Sequence, residues 1–212
     1  MSVLEKLYQA ADATEAARMS AYMKNHFRFL GIATPKRRLL TKDFIKTQKV
    51  IDWDFIFKCW ALPEREFQYL ALDLLKKLNE QLDITALPRL KQLLTTKSWW
   101  DSVDSLADVV GAVALREEAM ADILLEWSRD ANIWLRRTAI EHQLQFREKT
   151  KPALLEKILL NNLDQQEFFI KKAVGTALRD YSKTDPEWVR CFIDRYQAQL
   201  LPLSLRIARK YL

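Results

Sequence analysis

The chain has 212 residues and a formal charge of +6, with 49% hydrophobic and 11% aromatic side chains, which is enough apolar material for one core or one continuous array and too much for a disordered chain. Only three glycines occur, Gly31, Gly111 and Gly175, so a Gly-rich phosphate loop and a dinucleotide fingerprint are excluded and few hairpins can form. No apolar run reaches the roughly 18 residues of a membrane span, the first twenty residues carry charges where a signal peptide needs an apolar stretch, and Cys59 and Cys191 lack disulfide-framework or metal spacing; the expectation is a soluble, cytoplasmic protein with reduced thiols.

Taken in chain order, the pattern is helical throughout and no strand is expected. Residues 1–50 read as an N-terminal cap of about three helices, the third opened by Thr34-Pro35. Beyond about residue 51, five helix pairs are expected in a single domain covering 1–212. Leu62-Pro63, Thr184-Asp185-Pro186 and Leu201-Pro202 place proline near helix starts, and Ser98…Asp101, Asp164…Glu167 and Thr184…Glu187 have capping-box spacing. Apolar residues recur at three- and four-residue steps, as in Phe67, Leu70, Ala71, Leu74, Leu75 and Leu78. Aligning the second helix of each pair on Pro63, Ser98, Asn132, Asp164 and Pro202 gives steps of 35, 34, 32 and 38 residues. That period predicts a helical-repeat solenoid whose second helices line one concave face.

The charge is uneven. Residues 1–60 hold 11 basic and 6 acidic side chains, and 181–212 hold 6 and 3. Basic ends favour an anionic partner such as nucleic acid, and they equally serve solubility.

Three second helices carry the informative residues. In Thr96-Lys97-Ser98-Trp99-Trp100-Asp101-Ser102-Val103-Asp104, a helix capped by Ser98 points adjacent tryptophans about 100° apart, so one must leave the core. Trp100 and Asp104 share a face, which makes either an aromatic platform beside a carboxylate or an ordinary packed tryptophan beside a solvated one. Asn132-Ile133-Trp134-Leu135-Arg136-Arg137 offers two guanidiniums, suited to phosphates by their planar fork or to pairing with Glu141. Phe168-Phe169-Ile170-Lys171-Lys172, followed by Arg179, extends a basic stripe able to hold a duplex by its backbone. His26 and His142 have no partner at catalytic or metal spacing and read as surface or packing residues, so the general base of any enzyme here is a carboxylate.

At these residues the chain resembles the AlkD-type DNA alkylation repair proteins, alkylpurine DNA glycosylases built from HEAT-like helical repeats. The resemblance runs from about Tyr22 to the C-terminus and rests on Tyr22-Met23-Lys24-Asn25-His26-Phe27, Phe29-Leu30-Gly31-Ile32 with Thr34-Pro35, Leu62-Pro63-Glu64-Arg65-Glu66-Phe67, the Thr96–Asp104 segment, Asn132-Ile133-Trp134-Leu135 and Glu167-Phe168-Phe169-Ile170-Lys171. It implies an all-α solenoid of antiparallel HEAT-like pairs, of right-handed type, with a concave basic face that holds alkylated double-stranded DNA. It implies excision of N3- or N7-alkylpurines with no metal or cofactor, in the cytoplasm or nucleoid, by a monomer. Residue by residue, it implies that Asp104 is catalytic, that Trp100 and Arg137 line the cleft, Arg137 on a phosphate, and that Tyr22 lies near the site. Lys24, Arg136, Lys171, Lys172, Thr176 and Arg179 complete the expected DNA contacts. Thr176 departs from the pattern, because active relatives carry a second cleft tryptophan there. The alternative is therefore an AlkD-like DNA-binding protein with weak or absent glycosylase activity.

Overall fold

The computed structural model describes residues 1–212 as thirteen α-helices joined by turns and short 3-10 segments, without a strand. The chain divides into two compact units, Met1–Gln81 and Leu82–Leu212.

The first unit contains α1 (Val3–Gln9), α2 (Ala13–Tyr22), α3 (Thr34–Thr47), α4 (Trp53–Ala61) and α5 (Arg65–Lys77). Local chemistry sets the starts. Ser2 and Glu5 form a reciprocal capping box on α1, and the Asp12 carboxylate accepts from Thr14 and Glu15 N–H at the head of α2. Pro63 does not open α5. It lies ahead of the cap residue Glu64, and the helix begins at Arg65.

The second unit contains α6 (Leu87–Thr95), α7 (Trp100–Ala114), α8 (Met120–Trp127), α9 (Ile133–Glu141), α10 (Pro152–Leu160), α11 (Phe168–Tyr181), α12 (Pro186–Tyr196) and α13 (Pro202–Ala208). Within it α7, α9, α11 and α13 pack on one another in succession, and α6, α8 and α10 back them. Fully buried Leu90, Leu106, Met120 and Leu124 fill the space between. Two glycines permit the closest crossings. A Cβ on Gly111 would stand 2.1 Å from the His142 carbonyl oxygen, and one on Gly175 would stand 2.8 Å from Ser204 O. The Ser204 hydroxyl also donates to Lys171 O at 2.8 Å, tying α13 to α11.

Several expected caps act elsewhere. The Ser98 hydroxyl donates back to Leu94 O at 2.6 Å, finishing α6, and Trp99 is the cap residue of α7. Asp164 stands ahead of the cap residue Glu167 of α11, whose side chain makes no capping bond. Asp185, not Thr184, caps α12 by accepting from Trp188 N–H at 2.9 Å. Asn132 does cap α9, accepting from Trp134 N–H at 2.9 Å. With these starts the second helices begin at Arg65, Trp100, Ile133, Phe168 and Pro202, steps of 35, 33, 35 and 34 residues. The repeat is more regular than its cap residues, because a cap-forming side chain near a helix start does not specify which helix it serves.

His142 is a core residue. It is 3% exposed, its Nδ1–H donates to Ala139 O at 2.7 Å, and burial pushes its imidazole down to about 4.

Candidate functional site

Counting each second helix of the Leu82–Leu212 unit from its first residue brings the functional side chains into register. The fifth residues of α7, α9, α11 and α13 are Asp104, Arg137, Lys172 and Arg206, and the ninth residues of α7, α9 and α11 are Asp108, Glu141 and Thr176. Positions four apart share a helix face, so stacking lays these residues along one surface.

Arg137 is the hub. Its side chain is only 4% exposed, and its donors are directed to protein acceptors. Nε donates to Asp104 Oδ1 at 2.8 Å and Nη2 to Asp104 Oδ2 at 3.0 Å, a bidentate grip. Nη1 donates to the Phe169 carbonyl at 2.7 Å, and Nη2 also pairs with Glu141 Oε1 at 2.8 Å. Arg137 thus joins α7, α9 and α11, and this placement differs from the expected phosphate contact: the guanidinium lies behind Asp104.

Asp104 is the open end of this network, its side chain 40% exposed. Glu141 is the closed end, 2% exposed, and no donor reaches its Oε2. Burial pushes the Glu141 carboxyl well above the usual range; Arg137 opposes this and Asp104 adds to it. Two carboxyls share one guanidinium, and a proton held by Glu141 leaves a single negative charge, on the accessible Asp104. Lys172 contributes a weaker positive field at Glu141.

The tryptophans diverge as expected, by a different route. Trp99 is the cap residue, with extended backbone at φ −157° and ψ 164°, and its ring meets Trp134 at 5.8 Å and Phe169 at 5.0 Å between centroids. One aromatic from each of three successive second-helix segments forms this cluster, which braces the N-terminal ends on either side of Arg137. Trp100 opens α7 one turn before Asp104 and is half-buried on the same helix face.

The remaining expected contacts fall into two groups. Lys172 is exposed, Lys171, Thr176 and Arg179 are half-buried on α11, and Tyr22 (73% exposed) and Lys24 belong to the first unit. Arg136 is structural. Its guanidinium donates to Asp130 O at 2.6 Å, Arg129 O at 3.2 Å and Asn162 Oδ1 at 3.2 Å, closing the end of α8. It stands about 100° from Arg137 around the helix, which sends one arginine to helix-end carbonyls and the other to carboxyls. Glu141 was identified from sequence only as a possible surface partner for an arginine. The pairing is present, but it is buried and belongs to the site. Its signal was the shared spacing of Trp100-Asp104-Asp108 and Ile133-Arg137-Glu141.

The succession of α7, α9, α11 and α13, backed by α6, α8 and α10, defines a helical-repeat protein. The family model described as DNA alkylation repair enzyme matches residues 3–212, and the chain belongs to that family. Among solved structures it is similar to a predicted DNA alkylation repair enzyme from Enterococcus faecalis, with TM-score 0.88 and 35% identity over 95% of this chain and 96% of that one. Its fold is shared with AlkD2 from Streptococcus mutans (TM-score 0.64, 18% identity, 81% of this chain and 87% of that one). The smu.31 protein of Streptococcus mutans UA159 shares it too (TM-score 0.61, 18% identity, 97% and 99%). No curated protein matches the chain. No helix is long and apolar enough to cross a membrane.

Proposed function

We propose that this protein binds alkylated duplex DNA as a cytoplasmic monomer and hydrolyses the N-glycosidic bond of N3- or N7-alkylpurines. The observation that carries this reading is the Asp104 carboxylate, partly open to solvent yet fixed through both oxygens by a buried guanidinium. An N3- or N7-alkylated purine already bears positive charge, so its bond to the sugar is weakened and little acid catalysis is needed. As that bond breaks, its electron pair leaves with the base and positive charge develops on the deoxyribose. A carboxylate held in place stabilises that charge without reorganising and orients the water that adds to the sugar carbon. The Trp100 ring face, one turn away, adds a cation–π contribution of about 0.5–2 kcal/mol. Arg137 serves as the positioning residue for Asp104, and phosphate binding falls to Lys171, Lys172, Lys24 and Tyr22. The test is single-turnover release of 7-methylguanine and 3-methyladenine from methylated duplex, beside a binding titration on the same DNA. Binding without release would refute the enzyme and leave the binding protein.

Lys172 is exposed and Lys171 half-buried, and neither side chain is held by a carboxylate. Lys171→Ala with Lys172→Ala is expected to lower the slope of log K against log salt for duplex binding by up to about 2. An unchanged slope removes both from the phosphate footprint.

Thr176 favours the second reading, a DNA-binding member that excises weakly or not at all. It is half-buried and borders an open cleft where the family pattern places an indole. Thr176→Trp is expected to raise release at saturating protein by about ten- to a hundredfold, the value of one aromatic contact of roughly 1–3 kcal/mol felt at the transition state. No gain would place the deficit elsewhere.

A further inference from the structure

Excision as proposed needs Asp104 for charge and Arg137 for grip, yet the network they form contains a third ionisable group. Glu141 is 2% exposed, and its Oε1 accepts from Arg137 Nη2 at 2.8 Å. Its carboxyl is also in hydrogen-bond contact with that of Asp104. Two carboxylates repel and neither can donate, so this contact requires a proton shared by the pair. Three observations place that proton on Glu141. Asp104 is 40% exposed and gripped through both oxygens by Arg137, so its charge is solvated and paired. An ionised Glu141 would instead bury Oε2 as an anionic oxygen that no donor reaches. Glu141 is also the last residue of α9, where the negative end of the helix dipole opposes a further anion.

The surroundings do not supply the charge that an ionised Glu141 would need. Lys172 of α11 is exposed and acts on Glu141 more weakly than Arg137 does. Asp108, the ninth residue of α7, adds an exposed carboxylate to the same row. His142, next in the chain, is neutral, its imidazole pushed down to about 4 by burial. The backing helices α6, α8 and α10 keep Arg89, Lys91, Asp122, Glu126 and Lys157 in solvent, and Glu156 accepts from the Tyr196 hydroxyl at 2.9 Å. A neutral carboxyl fits this setting, because it has one O–H to donate to Asp104 and one oxygen to accept from Arg137.

We infer that Glu141 is a positioning residue for excision: as a neutral acid it donates to Asp104 and seats Arg137, fixing the Asp104 carboxylate in charge and direction, and its ionisation ends the activity at alkaline pH. Buried as it is, Glu141 acts only through Asp104 and Arg137. Once ionised it has no proton to donate, competes with Asp104 for the single guanidinium and repels Asp104 from behind. The inference rests on the excision reading above and deepens it.

The test follows single-turnover release of 3-methyladenine from methylated duplex, corrected for spontaneous release, from neutral pH to beyond about 9, where Glu141 gives up its proton. Wild type, Glu141→Leu and Glu141→Gln are compared, with duplex affinity and denaturant midpoints measured on the same samples. Glu141→Leu fills similar space but neither donates nor accepts, and should lower release at neutral pH about tenfold, the worth of one lost hydrogen bond, with duplex affinity unchanged. Glu141→Gln keeps an amide donor for Asp104 and a carbonyl acceptor for Arg137, and should recover that loss. Wild-type release should then fall as pH rises past about 9, whereas release by Glu141→Gln, which cannot ionise, should not. Should Glu141→Leu fold poorly, the pH profiles of wild type and Glu141→Gln carry the test. Release by Glu141→Leu equal to wild type would overturn the inference. An alkaline fall shared by Glu141→Gln would overturn it too, by assigning that fall to another group. Loss of release in Glu141→Gln as deep as in Glu141→Leu would show that the site needs an ionised Glu141, the opposite of the role assigned. Those three results, with wild type releasing base normally, leave the excision reading intact. Wild type that binds duplex and releases no base would refute that reading and the role of Glu141 together.

Discussion

Asp104→Asn is expected to cut single-turnover release of 7-methylguanine by about 10^2- to 10^3-fold, the scale on which removing one preorganised electrostatic contact acts, while duplex affinity holds or rises. The substitution keeps the shape of the side chain and one oxygen to accept from Arg137, and Arg137 retains Glu141 at 2.8 Å and the Phe169 carbonyl at 2.7 Å. The scaffold therefore stays tied. What disappears is the accessible negative charge that Arg137 holds in place, the charge that would stabilise the developing sugar cation. Its loss also removes a repulsion toward DNA phosphates, which is why affinity does not fall. Equal release by wild type and Asp104→Asn would remove Asp104 from the chemistry. Parallel loss of release and affinity would make it a binding residue.

The helical class and the repeat of about 34 residues were legible because apolar residues at three- and four-residue steps need only the chain itself to be read. Helix starts were legible where one polar side chain had one clear duty, as at Asn132. They were misread at Ser98, where a hydroxyl four residues after a helical carbonyl closes the preceding helix instead of opening the next. That displacement hid the register. Once Trp100 and Ile133 are taken as first residues, Asp104 and Arg137 fall on equivalent fifth positions, and their contact follows from stacking.

Charge was the least legible quantity. Arg136, Arg137, Arg147 and Arg179 look alike in sequence, yet the first donates to helix-end carbonyls, the second to two carboxyls, and the last two to no protein group. Which arginine stays available to a phosphate depends on acceptors about 25 to 35 residues away, such as Asn162 for Arg136 and Asp104 for Arg137. A charge count along the chain therefore gives the sign of the field and not its source.

Arg137→Ala is expected to lower stability by about 3 kcal/mol, within the roughly 3–5 kcal/mol range for breaking a buried ion pair, and to abolish release together with it. Three partners lose their donor at once: both Asp104 oxygens, Glu141 Oε1 and the Phe169 carbonyl. The loss stays at the lower end because Glu141 need not remain as an unpaired buried charge. Burial already pushes its carboxyl above the ordinary value of 4.5, Arg137 is the main influence opposing that push, and Asp104 and Lys172 act less strongly in opposite senses. Without the guanidinium the proton is held more tightly. The sign of the pH effect follows. A carboxyl whose folded-state pKa lies above its unfolded value gives up stability as pH rises from 4.5 toward the folded value, because the folded state must keep a proton that the unfolded chain releases. Arg137→Ala should therefore go on losing stability with rising pH above about 9, where wild-type Glu141 gives up its proton and the wild-type slope levels off, measured by denaturant midpoints across a pH series. Adding Glu141→Gln, which cannot ionise, should flatten that excess slope without restoring release, since Asp104 would still lack its grip. A double variant with the same slope as Arg137→Ala would show that another group titrates there. Recovery of release in the double variant would show that Glu141, and not the lost positioning of Asp104, had blocked the reaction.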